Sequence, residues 1–281
     1  MFSRREYCLA ALGTAALPIG YWAARPHDVR TDGGEDRDFG NYRSTLIDGL
    51  TPEYISWSGL KWRCAMGSTW NTGMEHCLRL NRTRARFEIR SSPVNRGPGD
   101  PPEKRRSEIR HPHSPRLPNG VPLWGAMSFR HHRWADPAGM AQLRGAGVHG
   151  QLHIGSSFGG SPAVAFRRTR RGEFAITTRG ENARKNTMRY RAPLAFDQVH
   201  HLVYRVVLHP VDGSLIVWLN GEKILDIANT SIGSSEADCY WGFGCYFAGG
   251  VTCPVIAEFD DVIYPGPADL THRISFRPRW S

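Results

Sequence analysis

The chain has 281 residues, 40% of them hydrophobic and 11% aromatic, enough apolar material for one substantial core, and all-β folds of this length run as a single domain. Its formal charge is +10, and of its 36 basic residues only Lys61, Lys104, Lys185 and Lys223 are lysine, which leaves 32 arginines. No internal repeat of solenoid type is present, and the arginine fork, which pairs two-to-two with carboxylate, sulfate or phosphate, points toward a polyanionic partner, although a GC-rich genome gives the same bias.

At the N-terminus, SRREYCLAALGTAALPIGYWAA sets Arg4-Arg5 directly before an apolar run from Cys8 to Ala24, the arrangement of a twin-arginine export signal. Residues 1–24 are therefore set aside from the fold, and a periplasmic or secreted location is expected. The run is short of the roughly 20 apolar residues a membrane span needs and is broken by Pro18 and Gly20, so no stable span is expected. Trp22 stands two before Ala24, where a cleavage site wants a small side chain; an uncleaved signal would leave the protein anchored. Export places Cys64, Cys77, Cys239, Cys245 and Cys253 where disulfides form. Cys64–Cys77 is the expected bridge, and the odd count leaves at least one cysteine outside an intrachain pair.

Residues 25–50 are charged, Gly-containing and weakly periodic, and read as a linker; residues 51–281 read as one domain. There, period-two or short apolar runs follow one another: RARFEIR, RSEIR, LWGAMSFRH, GQLHIG, AVAFRR, EFAITTR, HHLVYRVVLH, SLIVWLN, KILDI, YWGFGCYF and VIAEFDDVIY. Asn220-Gly221 is a two-residue hairpin signal, and Asp212-Gly213 is expected to turn the preceding strand. Between the first two runs, SSPVNRGPGDPPEKR is an exposed Pro/Gly loop, a candidate wall or lid of a groove. The basic, aromatic tail THRISFRPRWS is expected to pack on the surface. The fold class is all-β, a jelly-roll sandwich of two antiparallel sheets in the concanavalin A style.

Alternation then assigns faces, because successive side chains of a strand point to opposite sides. Arg106, Glu108 and Arg110 share one side of RRSEIR, with Ser107 and Ile109 on the other; Arg86, Glu88 and Arg90 do the same in RARFEIR. Gln151 and His153 face away from Leu152 and Ile154. Tyr240, Gly242, Gly244 and Tyr246 face away from Trp241, Phe243, Cys245 and Phe247. With the greasy sides in one core, the polar sides of a single sheet collect Arg106, Glu108, Arg110, Gln151, His153, Tyr240 and Tyr246. The glycines leave room for a ligand to approach the backbone.

RSEIR, QLH and YWGFGCY, in that order on jelly-roll strands, resemble the signature of the polysaccharide lyases that include alginate, glucuronan and heparin I lyases. The resemblance covers roughly residues 80–265. It implies β-elimination on an anionic, uronate-containing polysaccharide. Arg106 or Arg110 and Gln151 would contact the uronate carboxylate, and His153 and Tyr246 would transfer protons. Arg90, Arg110, Glu108 and Tyr240 would bind substrate, Glu108 by orienting the arginines. The proton beside an ionised carboxylate is weakly acidic, so donors that stabilise the developing enolate act as an oxyanion hole; histidine suits the base, and a tyrosine beside arginines can serve as acid, base or both. No cofactor or metal is required. One departure is Gly242, where the family pattern often has lysine.

Rival readings are weighed beside this one. The charged strands fit a solvated salt-bridge ladder, whose pairs are individually weak. A lectin-like jelly roll that binds acidic glycans without turnover uses the same groove. Nucleic acid is not expected, since export and the lack of a recognisable motif argue against it. The run from Glu258 to Asp261 lacks the spacing of a retaining jelly-roll glycosidase, which needs two carboxylates about the bond. No Cys-x-x-Cys is present, and the pairs His111/His113, His131/His132 and His200/His201 lack a third ligand, so they read as loop and strand-edge residues.

Overall fold

The computed structural model describes residues 43–44, 54–58, 60–64, 76–92, 101–111, 117–154, 161–181, 183, 185–235, 239–278 and 280. The twin-arginine segment lies outside them, as do the linker apart from 43–44 and positions 93–100 of the Pro/Gly loop.

In chain order the strands are β1 (Arg43–Ser44), β2 (Tyr54–Trp57), β3 (Leu60–Cys64), β4 (Leu78–Leu80), β5 (Ala85–Ile89) and β6 (Arg105–Arg110). Then come β7 (Pro122–His131), a one-turn-and-a-half helix α1 (Pro137–Gln142), β8 (Gly147–Ile154), β9 (Pro162–Arg168), β10 (Glu173–Thr178) and β11 (Thr187–Pro193). The last are β12 (Val199–Val207), β13 (His209–Leu219), β14 (Glu222–Ile232), β15 (Cys239–Phe247) and β16 (Val255–Gly266). They form two antiparallel sheets, the first ordered β1-β4-β5-β16-β7-β12-β13-β14 and the second β11-β10-β9-β8-β15-β6-β3-β2. This is the expected two-sheet sandwich. Every run picked out by alternation is a strand.

The inner faces meet in an aromatic core. From the second sheet come Trp62, Trp241 and Phe243; from the first, Phe87 and Phe259, all fully buried. Phe243 sits at the centre, 5.3 Å from Trp62, 5.6 Å from Phe87 and 5.1 Å from Phe259, each near edge-to-face. Such geometry adds to the burial energy of the rings, roughly 1.5–3 kcal/mol each.

Turn chemistry accounts for the connections. Asn220 and Gly221 both adopt positive φ, 53° and 89°, and close β13 onto β14 as the paired left-handed residues of a type I′ turn. The β12–β13 connection is wider than the expected Asp212-Gly213 turn. Val207 pairs with Ser214, and between them the His209 Nδ1 accepts the N–H groups of Val211 and Asp212. The C-terminal tail packs on the surface as expected: Phe276 lies 5.0 Å from the His201 ring, and Trp280 receives the guanidiniums of Arg84 and Arg130 at 4.6 and 5.3 Å.

Two expectations are corrected. Cys64 is a free thiol, and burial pushes its pKa up to about 12, so the Cys64–Cys77 bridge is not formed. The two residues belong to different sheets, Cys64 in β3 and Cys77 beside β4. His131, His200 and His201 are not strand-edge residues; they lie within β7 and β12 and are 3%, 5% and 1% exposed. His131 meets His149 of the opposite sheet at 4.0 Å between ring centres. Among the described residues no helix is long and apolar enough to cross a membrane, and no cluster of three metal-ligating side chains occurs.

Candidate active site

The outer face of the second sheet is built on the pairing of β6 with β15. Arg106 is opposite Tyr246, Glu108 opposite Gly244 and Arg110 opposite Gly242. On the far side of β15, Gln151 is opposite Gly242 and His153 opposite Tyr240. Seven residues from three strands therefore share one face, as alternation predicts.

A bulge sets their alignment. Between the pairs Phe243–Gly150 and Tyr246–Val148, two residues of β15 face one of β8, and Gly244 takes up the distortion at φ +143°. Bulges re-aim side chains and gather beside functional sites. Here the bulge keeps Tyr246 on the face of Gln151 and His153, while His149 turns inward.

The charges are organised rather than scattered. Glu108 is 3% exposed; its Oε1 accepts the Gln151 Nε2 at 2.6 Å, and its Oε2 lies 3.6 Å from Arg106 Nε. Arg106 places its guanidinium 4.8 Å over the Tyr246 ring, with the Lys104 ammonium 5.9 Å from the same ring. Arg110 lies 5.0 Å over Tyr240, which stacks on His153 at 5.1 Å and 19°. Burial raises the Tyr240 pKa against the opposing pull of Arg110. A shallow depression lies among Arg106, Glu108, Arg110, Gln151, Tyr240 and Gly242. His153 and Tyr246 are neighbours of its lining residues, His153 stacked on Tyr240 and Tyr246 beneath the Arg106 guanidinium. Tyr246 is six positions along β15 from Tyr240, the partner of His153.

Arg90 is set apart from this group. It follows β5 of the first sheet, where its Nε lies 2.5 Å from Glu88 Oε1, with Arg86 Nη1 2.7 Å from Oε2. Burial pulls the Glu88 carboxyl upward, and the two arginines override it and hold the pKa below its usual value. The Arg86-Glu88-Arg90 face is a ladder on the other sheet in which two arginines share one carboxylate. Two residues of the site escape the motif-by-motif reading. Lys104 comes from the loop before β6, and Arg167 comes from β9, where it shares a face with Ala163 and Ala165, opposite Val164 and Phe166. The alternation of PAVAFRR holds that signal.

No protein-family profile matches the chain, and no curated protein matches it in sequence. Solved structures do match. An endo-β-1,4-glucuronan lyase from the fungus Trichoderma reesei aligns with a TM-score of 0.52 over 82% of this chain and 95% of its own, at 11% identity. The family 7 alginate lyase A1-II′, in a doubly substituted form in complex with substrate, aligns at 0.53 over 81% and 98%, at 12% identity. The fold is that of the jelly-roll polysaccharide lyases. A further structure of alginate lyase A1-II′ aligns at 0.50, with 14% identity over 70% of this chain. The lyase-like sandwich thus carries the Arg/Gln/His/Tyr face on one of its two sheets.

Proposed function

We propose that the protein is an exported polysaccharide lyase that cleaves an anionic, uronate-containing glycan by β-elimination. The observation that carries this reading is the depression itself. It gathers two guanidiniums and a carboxamide over a glycine floor, and its one carboxylate, Glu108, is buried and already engaged by Arg106 and Gln151. A glycosidase needs two available carboxylates flanking the bond; among the described residues this face supplies none.

In the elimination, Arg106, Arg110 and Gln151 neutralise the uronate carboxylate and stabilise the enolate that forms when the adjacent carbon loses its proton. His153 and Tyr246, on the same face of the sheet, take that proton and return one to the leaving glycosidic oxygen. Glu108 acts by holding Arg106 and the Gln151 amide in place. Gly242, where related lyases often carry lysine, is opposite Arg110 in the sheet. A Cβ at 242 would stand 3.2 Å from the Arg110 Cβ, so the arginine supplies the charge from the next strand. The Arg4-Arg5 segment is read as the export signal.

Ultraviolet absorbance of the conjugated double bond tests this, with purified protein and a panel of alginate, glucuronan and heparin-type polymers. Absorbance rising on one polymer and lost in Tyr246→Phe supports the lyase. Tight binding to one polymer without any rise replaces it with the lectin-like reading.

A further inference from the structure

Arg167 has no place in the chemistry above. It projects from β9 on the face of the depression, beyond Tyr246: Tyr246 pairs with Val148, and Val148 with Arg167. Its Nε donates to Thr177 Oγ1 at 2.8 Å, which fixes the guanidinium plane. Among the described residues it has no acidic partner. The acid two positions along on the neighbouring strand, Glu173, is held by Thr169 at 2.9 Å and by Arg191 at 3.6 Å. Burial pushes the Arg167 pKa down to about 10, and Tyr246 is near enough to act on its charge. A half-buried, oriented guanidinium without a carboxylate carries an uncompensated desolvation cost. The fold keeps such a group where a ligand can supply the anion.

We propose that Arg167 seats a second acidic group of the bound glycan, carboxylate or sulfate, on a different sugar from the one whose carboxylate lies over Gly242. Two strand spacings separate β9 from β15, about 10 Å, too far for one carboxylate to serve both places. The inference rests on the lyase reading of the same face and adds to it one residue, Arg167, that reads the charge of a neighbouring sugar. Because Arg167 lies on the far side of Tyr246 from Arg106, it lengthens the site across the strands and contributes mainly to binding.

The test measures equilibrium binding in a Tyr246→Phe background, so that turnover and any effect exerted through the Tyr246 hydroxyl are absent. The probes are hexamers of glucuronate and of mannuronate, with methyl glucuronide as the single-uronate control. Arg167→Gln should weaken binding of the preferred hexamer about tenfold or more, the loss of one charge-assisted contact, and leave the methyl glucuronide unchanged. Arg167→Lys should recover part of the loss, and Arg171→Gln, at an exposed turn, should match the background protein. Melting temperatures establish that the variants fold. Hexamer binding equal in the Arg167→Gln and Arg171→Gln proteins overturns the second seat while leaving the lyase reading intact. If no hexamer binds the background protein and the wild type cleaves no polymer, both readings fall together.

Discussion

Arg106 and Tyr246 are directly opposite across β6 and β15, with the guanidinium 4.8 Å over the phenol ring. The contact holds a permanent positive charge against the ring whose hydroxyl the proposed elimination would use. Tyr246→Phe keeps the ring and its stacking and removes only the hydroxyl. It should lower the rate of double-bond formation by about 10²–10⁴-fold, the usual contribution of a positioned proton-transfer group, and leave the melting temperature unchanged. Retention of more than a tenth of the wild-type rate would remove Tyr246 from the proton transfer.

Glu108 separates a structural from a chemical role by the choice of replacement. Its two oxygens meet Gln151 and Arg106. Glu108→Ala leaves those donors without their acceptor and should cost about 2 kcal/mol of stability. Glu108→Gln preserves an acceptor for Gln151 and should fold nearly as well, yet it removes the negative charge facing Arg106 and should reduce kcat/KM. Thermal melts and steady-state kinetics on both variants check this; equal melting temperatures would mean that Glu108 contributes only charge.

The two charged strands show where sequence stops being informative. RARFEIR and RRSEIR alternate identically, and each places three charges on one face. The first became β5 of one sheet, with Glu88 closed off by Arg86 and Arg90; the second became β6 of the other, with Arg106 and Arg110 turned toward tyrosines. Periodicity gives the face of a strand, whereas the sheet it joins is decided by tertiary pairing. Arg90, expected among the substrate-binding residues, stands at the end of β5 beside Glu88. The strand β11 was missed for a related cause. It is an edge strand with most side chains at least partly exposed, and its short apolar side, Met188, Tyr190 and Ala192, includes a methionine that is 51% exposed. By contrast, the seven-residue polar face was legible because each of its strands buries the opposite side completely enough to leave a clean alternation. Cys64 and Cys77 are close in sequence, but they belong to different sheets, which no spacing rule discloses.

The two glycines of the tyrosine strand should respond differently to alanine. Gly244 has φ +143°, and a methyl there would collide with the Ser107 carbonyl and stand 2.7 Å from the Glu108 Cα. Backbone strain of this kind costs about 1–3 kcal/mol before any overlap is relieved. Gly244→Ala should therefore lower stability by at least about 3 kcal/mol. Gly242 meets only contacts of 3.1 Å to the Ile109 carbonyl and 3.2 Å to the Arg110 Cβ, which small shifts relieve, so Gly242→Ala should fold and lose activity by displacing Arg110. Chemical denaturation of both proteins decides it; the bulge has no special role if the two lose equal stability.

Acid should destabilise the protein through the histidines inside the sandwich. His149 from β8 and His131 from β7 face one another, with Arg168 from β9 and His200 from β12 as the other charged or titratable neighbours, and His132 next in sequence. Burial, reinforced by Arg168, holds His149 down to about 3; burial, reinforced by His149 and then Arg168, holds His131 well below its ordinary value. Both folded-state pKa values lie under the unfolded one, so the unfolded chain binds more protons as pH falls below about 6.5, and stability declines in that direction. Between pH 6.5 and pH 5 the loss should be roughly 1.5 kcal/mol for each histidine. Denaturation midpoints across this range measure it. A His131→Gln/His149→Gln protein should show a flatter profile than the wild type, and a wild-type profile already flat from pH 7 to pH 5 would mean that neither imidazole is held neutral in the core.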